Sequence, residues 1–172
     1  MPVDVNGVTL AAVGSTFSCS NGATTLMGVD ANGVITRPQT PYVRMQTSGQ
    51  GTYYSANPMV FGSVDQQVGS NWNNSTGLWT CPVAGYYLVV MNFIGANYNG
   101  GTYGYPYIYK NGATYVYSHW NEAGAWDSVS LSAVVQCAAS DTIKFAIFGA
   151  GASGNGAYGA GNHCHYGIAL LG

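Results

Sequence analysis

Charge is scarce in this sequence. Four basic and six acidic residues occur among 172 positions, so 6% of the chain is charged, whereas roughly a quarter of an ordinary soluble domain is. Phosphate backbones are bound by clusters of Lys and Arg, and the lack of any cluster excludes nucleic acid as an expected partner. No apolar run approaches the roughly 18 residues that a membrane-spanning helix needs, so we expect no membrane partner.

Ligand patterns for metals are also missing. The four cysteines (Cys19, Cys81, Cys137 and Cys164) are far apart and lack the C-x-x-C spacing of zinc sites. The start of the chain has neither a basic cluster nor an apolar stretch, so we expect no secretory signal and mostly free, buried thiols. Pairing of Cys164 with Cys137 or Cys81 is an alternative if their strands are adjacent.

A His-Cys-His sequence near the C-terminus is the most site-like group. On a strand, His163 and His165 point to one face and Cys164 to the other. Three copies of such a pair around a symmetry axis could hold a metal ion. Histidines in this arrangement more often form hydrogen bonds at an interface, so we expect no metal.

Catalytic patterns are equally scarce. Glu122 is the only glutamate, and the five aspartates form no close pair for acid–base chemistry. There is no Gly-x-Ser-x-Gly sequence, and the glycine-rich residues 149–161 lack the lysine of a phosphate-binding loop. The sequence therefore predicts no enzyme and no cofactor, and it predicts a flexible loop over 149–161.

Strand patterns dominate the rest of the chain. Residues 86–93 are β-branched and aromatic with both faces apolar, which suits a strand buried between sheets or against a neighbouring subunit. Asn111-Gly112 is typical of a type I′ hairpin turn. The pattern predicts an all-β antiparallel fold, either a β-sandwich or a jelly roll. Further strands are predicted at 105–109, 114–118, 128–136, 142–148 and 165–171.

The first 40 residues differ in character. Asn-Gly recurs three times among short Val-, Thr- and Ala-containing segments, which predicts small hairpins without a core of their own. The proline-containing residues 37–41 then form a stiff connector. We therefore divide the chain into an attachment segment (1–40) and a sandwich (41–172). The apolar attachment candidates are Val5, Val8, Leu10, Phe17, Leu26, Met27, Val34 and Ile35.

Residues 75–87 read STGLWTCPVAGYY, which resembles the central signature of the complement globular-head domain. That domain belongs to the jelly-roll superfamily that also contains tumour necrosis factor. YIYKNG at 107–112, SVSL at 128–131, TIKF at 142–145 and YGIALL at 166–171 continue the likeness, which covers about residues 41–172. The resemblance implies a jelly roll of about ten strands that assembles as a homotrimer. The trimer-interface candidates are Tyr86, Leu88, Val90, Tyr107, Tyr109, Tyr166 and Ile168.

Residues 29–42 read VDANGVITRPQTPY, which is similar to the lead-in before such domains in tailed-bacteriophage virion proteins. This likeness implies a virion protein made in the host cytoplasm. One role is a capsid decoration, or cement, protein that binds the major capsid protein through residues 1–40. The other is the receptor-binding head of a tail fibre or tailspike. Decoration is favoured because a short segment, rather than a long shaft, precedes the sandwich.

The tail-fibre alternative has its own candidate residues. Trp120 and Trp126 flank a short loop, and Tyr158 lies within the glycine-rich residues 149–161. Aromatic rings at such positions could stack on a sugar or contact a protein of the host surface. Packing of the two tryptophans between subunits is the more common role for such residues.

Overall fold

A computed structural model describes residues 2–5, 8–13, 16–21, 24–37, 39–46, 52–54, 58–61, 63–97, 103–121, 126–150, 155–158 and 164–171. Every regular element in these ranges is a β-strand, as the alternating sequence pattern predicted. The same part of the chain contains no helix that could cross a membrane. The chain divides into two compact units, Met1–Thr40 and Pro41–Gly172.

The first unit is an antiparallel meander of five strands. Consecutive strands pair throughout, in the order β1-β2-β3-β4-β5. The turn between the last two strands is held by Asp30, whose carboxylate accepts hydrogen bonds from the amides of Asn32 and Val34, both at 2.8 Å. These bonds lower the pKa of Asp30. The strands are β1 (Val3–Val5), β2 (Val8–Val13), β3 (Thr16–Asn21), β4 (Thr24–Val29) and β5 (Ile35–Thr36).

The second unit is a sandwich of two antiparallel sheets, which confirms the predicted jelly-roll class. It has thirteen strands in its described part, more than the expected ten, because several are only two to four residues long. The strands are β6 (Tyr42–Gln46), β7 (Thr52–Tyr54), β8 (Ser63–Val68), β9 (Trp72–Asn73), β10 (Leu78–Thr80), β11 (Gly85–Asn97), β12 (Tyr103–Lys110), β13 (Ala113–Tyr117), β14 (Trp120–Asn121), β15 (Trp126–Cys137), β16 (Thr142–Ala150), β17 (Asn155–Tyr158) and β18 (His165–Leu170).

The two sheets are built around long central strands. One sheet follows the order β7-β17-β11-β18-β6-β8, with β15 on the other side of β11. The second sheet follows β13-β12-β16-β10-β9, with β14 also paired to β12. We call them the seven-stranded and the six-stranded sheet. At one edge the hydroxyl of Tyr115 donates to the carbonyl of Val134 at 3.0 Å, which joins β13 of one sheet to β15 of the other.

Alternation along β11 shows how the core forms. Tyr87, Val89, Met91 and Phe93 are buried between the sheets, while the residues between them face outward. The two apolar faces of this strand therefore have different surroundings, the core on one side and the protein surface on the other. An aromatic cluster fills the centre of the core, where the rings of Phe61 and Tyr166 lie 4.4 Å apart between centroids.

Two sequence interpretations are corrected by this packing. Tyr166 and Ile168 were candidates for contact between subunits, but both are 1% exposed and belong to the core. They occupy the inward positions of β18, and the small outward residues Gly167 and Ala169 alternate with them. The predicted loop over 149–161 is also partly strand, since Asn155–Tyr158 pairs with both β11 and β7 through its backbone.

The Asn111-Gly112 turn forms as predicted. Both residues have positive φ, 50° and 77°, and Lys110 pairs directly with Ala113 across the two-residue loop. A bulge follows between Ile108 and Tyr109, and it shifts the register of β13 by one residue.

Candidate functional site

Four tyrosines on the outer side of the six-stranded sheet form what we call the tyrosine face. Because Ile108 points into the core, its neighbours at alternate positions of β12, Tyr105, Tyr107 and Tyr109, share the outward side. The bulge beside Ile108 brings Tyr117 of β13 opposite Tyr107. The Tyr117 side chain is 58% exposed, and the three tyrosines of β12 are half-buried.

The rings of the tyrosine face contact one another. Tyr107 lies 5.3 Å from Tyr117 and 5.7 Å from Tyr109 between ring centroids, with interplanar angles of 21° and 28°. Tyr105 lies 6.4 Å from both Tyr107 and Tyr117. Burial, followed by the neighbouring phenols, raises the pKa of Tyr107. Its hydroxyl therefore stays protonated and remains a donor at neutral pH.

Polar and aromatic groups border this face. The His119 ring lies 5.6 Å from Tyr105, and the Phe148 ring meets Tyr107 edge-on at 5.2 Å. Lys144 Nζ lies 4.7 Å above the ring of Tyr109, a cation–π contact. None of the six strands of this sheet contains Asp or Glu.

An apolar surface covers the outer side of the seven-stranded sheet. Tyr86 and Leu88 of β11 are 50% and 37% exposed, and Val134, directly opposite Leu88 on β15, is 50% exposed. Val90 continues this side and is half-buried. We call these four residues the aliphatic face. Exposed apolar groups that adjoin one another are typical of a surface that another protein covers.

The seven predicted interface residues thus occupy three places. Tyr86, Leu88 and Val90 lie on the aliphatic face, and Tyr107 and Tyr109 lie on the tyrosine face of the other sheet. Tyr166 and Ile168 of β18 are buried in the core. The sequence reasoning missed Val134, Tyr105, Tyr117 and His119, although Val134 could have been found from its alternation with the buried residues of 128–136.

The N-terminal unit has its apolar residues on one side. The ladders place Leu10 opposite Cys19 and Cys19 opposite Met27, and they place Phe17 opposite Val29. Residues directly opposite each other share a face, so we call this side the apolar meander face. Its members with described side chains are Leu10, Ala12, Phe17, Cys19, Met27, Val29 and Ile35.

Burial in this unit matches the expectation of hairpins without a core. No residue of the unit whose exposure the structure describes is buried, and Leu10, Phe17, Val34 and Ile35 are exposed. Val34 lies in the turn before β5 rather than in the ladder. Leu26 is the extra residue of a bulge in β4, between the pairs Cys19–Met27 and Ser20–Thr25. The side chains of Val5, Val8 and Leu26 lie outside the described residues.

Strand pairing gives the positions of the three aromatic residues that were candidates for contact with a host receptor. Trp126 and Gly156 pair with Ala96 from its two sides, so Trp126 and Tyr158 belong to the same end of the seven-stranded sheet. Trp120 pairs with Gly104 in the six-stranded sheet. The side chains of Trp120, Trp126 and Tyr158 lie outside the described residues.

Metal-binding groups do not converge in the part of the chain that the structure describes. No cluster of three His, Cys, Asp or Glu side chains occurs there. Cys164 is buried, and His165 Nδ1 lies 3.5 Å from Arg44 Nη2. His163 lies outside the described residues, so the His-Cys-His sequence is only partly placed, and Glu122 also lies outside them.

Cys81 and Cys137 are poor nucleophiles. Cys81 and Cys137 are buried neighbours, and all four cysteines are free. Burial, together with a hydrogen bond to Cys137, raises the pKa of Cys81 to about 12, and burial also raises the pKa of Cys137. Both thiols are therefore protonated at neutral pH, whereas nucleophilic catalysis needs the thiolate.

Comparison with known proteins identifies the family of the second unit. The family model described as "C1q domain" matches residues 42–165, more than half of the chain. No curated protein matches the chain. The globular domain of the zebrafish complement 1qA protein has a TM-score of 0.60 at 16% identity, covering 77% of this chain and 98% of that one.

Two proteins of the tumour-necrosis-factor type have the same fold. Eiger TNF from S. frugiperda has a TM-score of 0.60 at 12% identity, with 77% of this chain and 94% of that chain covered. Murine APRIL has a TM-score of 0.58 at 11% identity, with 76% and 98% covered. Such low identities show the fold alone. By its family model, the chain belongs to the C1q domain family.

Proposed function

We propose that this protein is a homotrimeric structural protein of a bacteriophage virion, a capsid decoration protein whose jelly-roll head self-associates and whose residues 1–40 bind the shell. The observation that carries the proposal is the apolar meander face. Five paired strands with apolar residues on one side and no buried residue among those described require another surface for stability.

Self-association of the head is supported by the aliphatic face. Tyr86, Leu88 and Val134 expose large apolar side chains next to one another on a regular sheet. A chain with 6% charged residues is poorly soluble as an isolated monomer, and covering this face reduces that problem. Homologues with this fold form trimers, which favours a three-fold assembly.

Assembly as a trimer would strengthen attachment to the shell. A trimer carries three copies of residues 1–40, so weak contacts with several capsid subunits add up without any single contact being strong. Binding only to the folded shell stabilises it by mass action. The virion context itself rests on the likeness of residues 29–42 to lead-ins in tailed-phage proteins.

The decisive experiment is the copy number per purified virion, measured by quantitative mass spectrometry against the major capsid protein. Decoration predicts hundreds of copies, near one per capsid subunit. A second arm uses full-length Phe17→Ser, whose change lies on the apolar meander face, with Thr9→Ser on the polar side as the matched control. We expect the first variant to remain trimeric but leave the shell, and the control to stay bound. Absence from the virion, or retention of Phe17→Ser at full copy number, would contradict the proposal.

A receptor-binding head of a tail fibre is the second candidate. It is favoured by one observation, the placement of Trp126 and Tyr158 at the same end of the seven-stranded sheet. This alternative predicts a handful of copies per virion, in a multiple of three. It also predicts that Ala at Trp120, Trp126 or Tyr158 abolishes adsorption to the host while particle assembly continues.

A further inference from the structure

We propose that the tyrosine face is a binding site for a glycan that carries carboxylates. The site consists of Tyr105, Tyr107, Tyr109 and Tyr117 with Lys144 at its border. It is distinct from the aliphatic face and from residues 1–40, so it does not depend on how the protein is attached to a particle.

The rings provide the first reason. Tyr107 contacts Tyr105, Tyr109 and Tyr117 at ring-centroid distances of 5.3 to 6.4 Å, so the four rings form a continuous aromatic surface. Tyr107 is stacked between its neighbours, so the accessible ring of this group is that of Tyr117, which is 58% exposed. The electron-rich face of an exposed aromatic ring attracts the polarised C–H groups of a sugar. Tyrosine is well suited to such contacts, because it is rigid and loses little conformational entropy on binding.

The support beneath the rings is also rigid. Ala146 lies directly opposite Tyr107 on β16, and it is fully buried although it occupies an outward position of that strand. The larger aromatic neighbours therefore cover it. A small residue at this position lets the rings pack closely on the sheet, so the surface exists before any ligand binds. Preformed surfaces bind with less ordering cost.

Polar groups surround the rings and suit a hydroxylated ligand. Each phenol both donates and accepts hydrogen bonds, and His119 lies beside Tyr105 at 5.6 Å. A purely apolar partner would displace water from exposed phenol hydroxyls such as that of Tyr117, which costs free energy. A sugar has C–H groups that can contact the tyrosine rings and hydroxyl groups that can hydrogen-bond to the phenol hydroxyls.

Charge selects the class of glycan. Lys144 brings an ammonium group to the border of the site at 4.7 Å from the Tyr109 ring, and the strands of this sheet contain no carboxylate. An acidic sugar is therefore attracted by this ammonium group and meets no carboxylate on the strands themselves. A nucleic acid would need several cations along its backbone, and the outward side here has one lysine from β16.

The test compares an acidic and a neutral trisaccharide on the full-length protein. Trigalacturonate and maltotriose are titrated by isothermal calorimetry and by saturation-transfer NMR. We expect trigalacturonate to bind more tightly than maltotriose, and added salt to weaken only the acidic ligand. Tyr117→Ala should weaken trigalacturonate by roughly tenfold, the size of one lost stacking contact.

Two further variants separate the contributions. Lys144→Gln should remove the preference for trigalacturonate while leaving maltotriose unchanged. Tyr42→Ala, which changes a partly exposed tyrosine of β6 on the other sheet and outside the aliphatic face, should change neither affinity. Circular dichroism and sedimentation velocity check that each variant keeps its fold and assembly. Failure of the wild-type protein to bind trigalacturonate would overturn the proposal, as would an equal loss of affinity in Tyr42→Ala. Dissociation of the assembly by Tyr117→Ala would also overturn it, because the face would then be a contact between copies.

Discussion

The Asn111 side chain donates a hydrogen bond of 2.8 Å from Nδ2 to Oδ1 of Asp141, across two turns that are 30 residues apart in sequence. The other carboxylate oxygen of Asp141 accepts from the amide of Ala138 at 2.8 Å and contacts Lys110 Nζ at 3.0 Å. Asn111 Oδ1 in turn accepts from the amide of Thr142 at 2.8 Å. The β12–β13 turn and the β15–β16 turn are thus fixed to each other through one carboxylate.

This arrangement predicts an acid-sensitive contribution to stability. The bonds from Asn111, Ala138 and Lys110 lower the pKa of Asp141 from 3.8 to about 2. A carboxyl whose pKa is lower in the folded state stabilises the protein fully above its unfolded pKa, and this contribution is lost as pH falls from near 4 through about 2. We expect Asp141→Asn to lower Tm at pH 7 and to have almost no effect at pH 2, as measured by calorimetry. Asp65→Asn, which breaks the exposed Arg44 ion pair, is the control. Equal loss of Tm by Asp141→Asn at both pH values would contradict the prediction.

Two glycines with positive φ should differ in their tolerance of alanine. Gly112 has φ +77° and open space around an added Cβ, so Gly112→Ala should cost about 1 kcal/mol of unfolding free energy, from backbone strain alone. Gly77 has φ +64°, and its added Cβ would lie 2.5 Å from the Met59 carbonyl oxygen. Gly77→Ala should therefore cost substantially more, because a backbone atom must move. Urea denaturation measures both, and equal costs would show that strain rather than contact dominates.

How far the sequence could predict this structure is clearest in β12 and β13. The Asn111-Gly112 turn predicted the hairpin, and counting outward from Lys110 and Ala113 places Val116 opposite Tyr107. The bulge between Ile108 and Tyr109 shifts the pairing, so Tyr117 takes that place instead. Nothing in the local sequence marks the bulge, which accompanies the packing of Val116 against the core. Periodicity alone can therefore place Tyr105, Tyr107 and Tyr109 on one side of β12, but it cannot place Tyr117 beside them.

The same limit applies to β18. The large residues Tyr166 and Ile168 alternate with the small Gly167 and Ala169, so the sequence marks one apolar side of the strand. It does not say whether that side packs in the core or against another subunit, and only the pairing with β11 places Tyr166 beside Met91 in the core. Register decides the side, and register is fixed by contacts that are distant in sequence.

The aromatic centre of the sandwich should dominate the stability of the head. Phe61 is fully buried, with its ring 5.6 Å from Trp72 and 6.1 Å from Phe145. Phe61→Ala should lower the free energy of unfolding by about 3–5 kcal/mol, through lost burial and the cavity left behind. Val60→Ala, at an exposed position outside the aliphatic face, should change it by no more than about 0.5 kcal/mol. Guanidinium denaturation of both variants distinguishes the two positions.

Self-association is predicted to require the aliphatic face. Leu88→Asp places a charge opposite Val134, and a charge buried without a partner is strongly unfavourable at an interface. We expect this variant to sediment as a folded monomer where the wild-type protein sediments as a trimer. Val60→Asp, which changes a residue of similar exposure outside the aliphatic face, should remain trimeric. A trimeric Leu88→Asp protein would show that the copies meet elsewhere.

The cysteines should differ in reactivity according to their burial. Cys81 and Cys137 are buried with raised pKa values, while Cys19 is half-buried in the N-terminal meander. Because the thiolate is the reactive form, iodoacetamide at pH 7.5 should modify Cys19 first and leave Cys81 and Cys137 unmodified until the head unfolds. Peptide mass spectrometry over time measures each site, and Cys19→Ser provides the control in which the early modification disappears. Modification of Cys81 at the rate of Cys19 in native protein would show that the thiol is accessible, and that β10 opens from β16 without global unfolding.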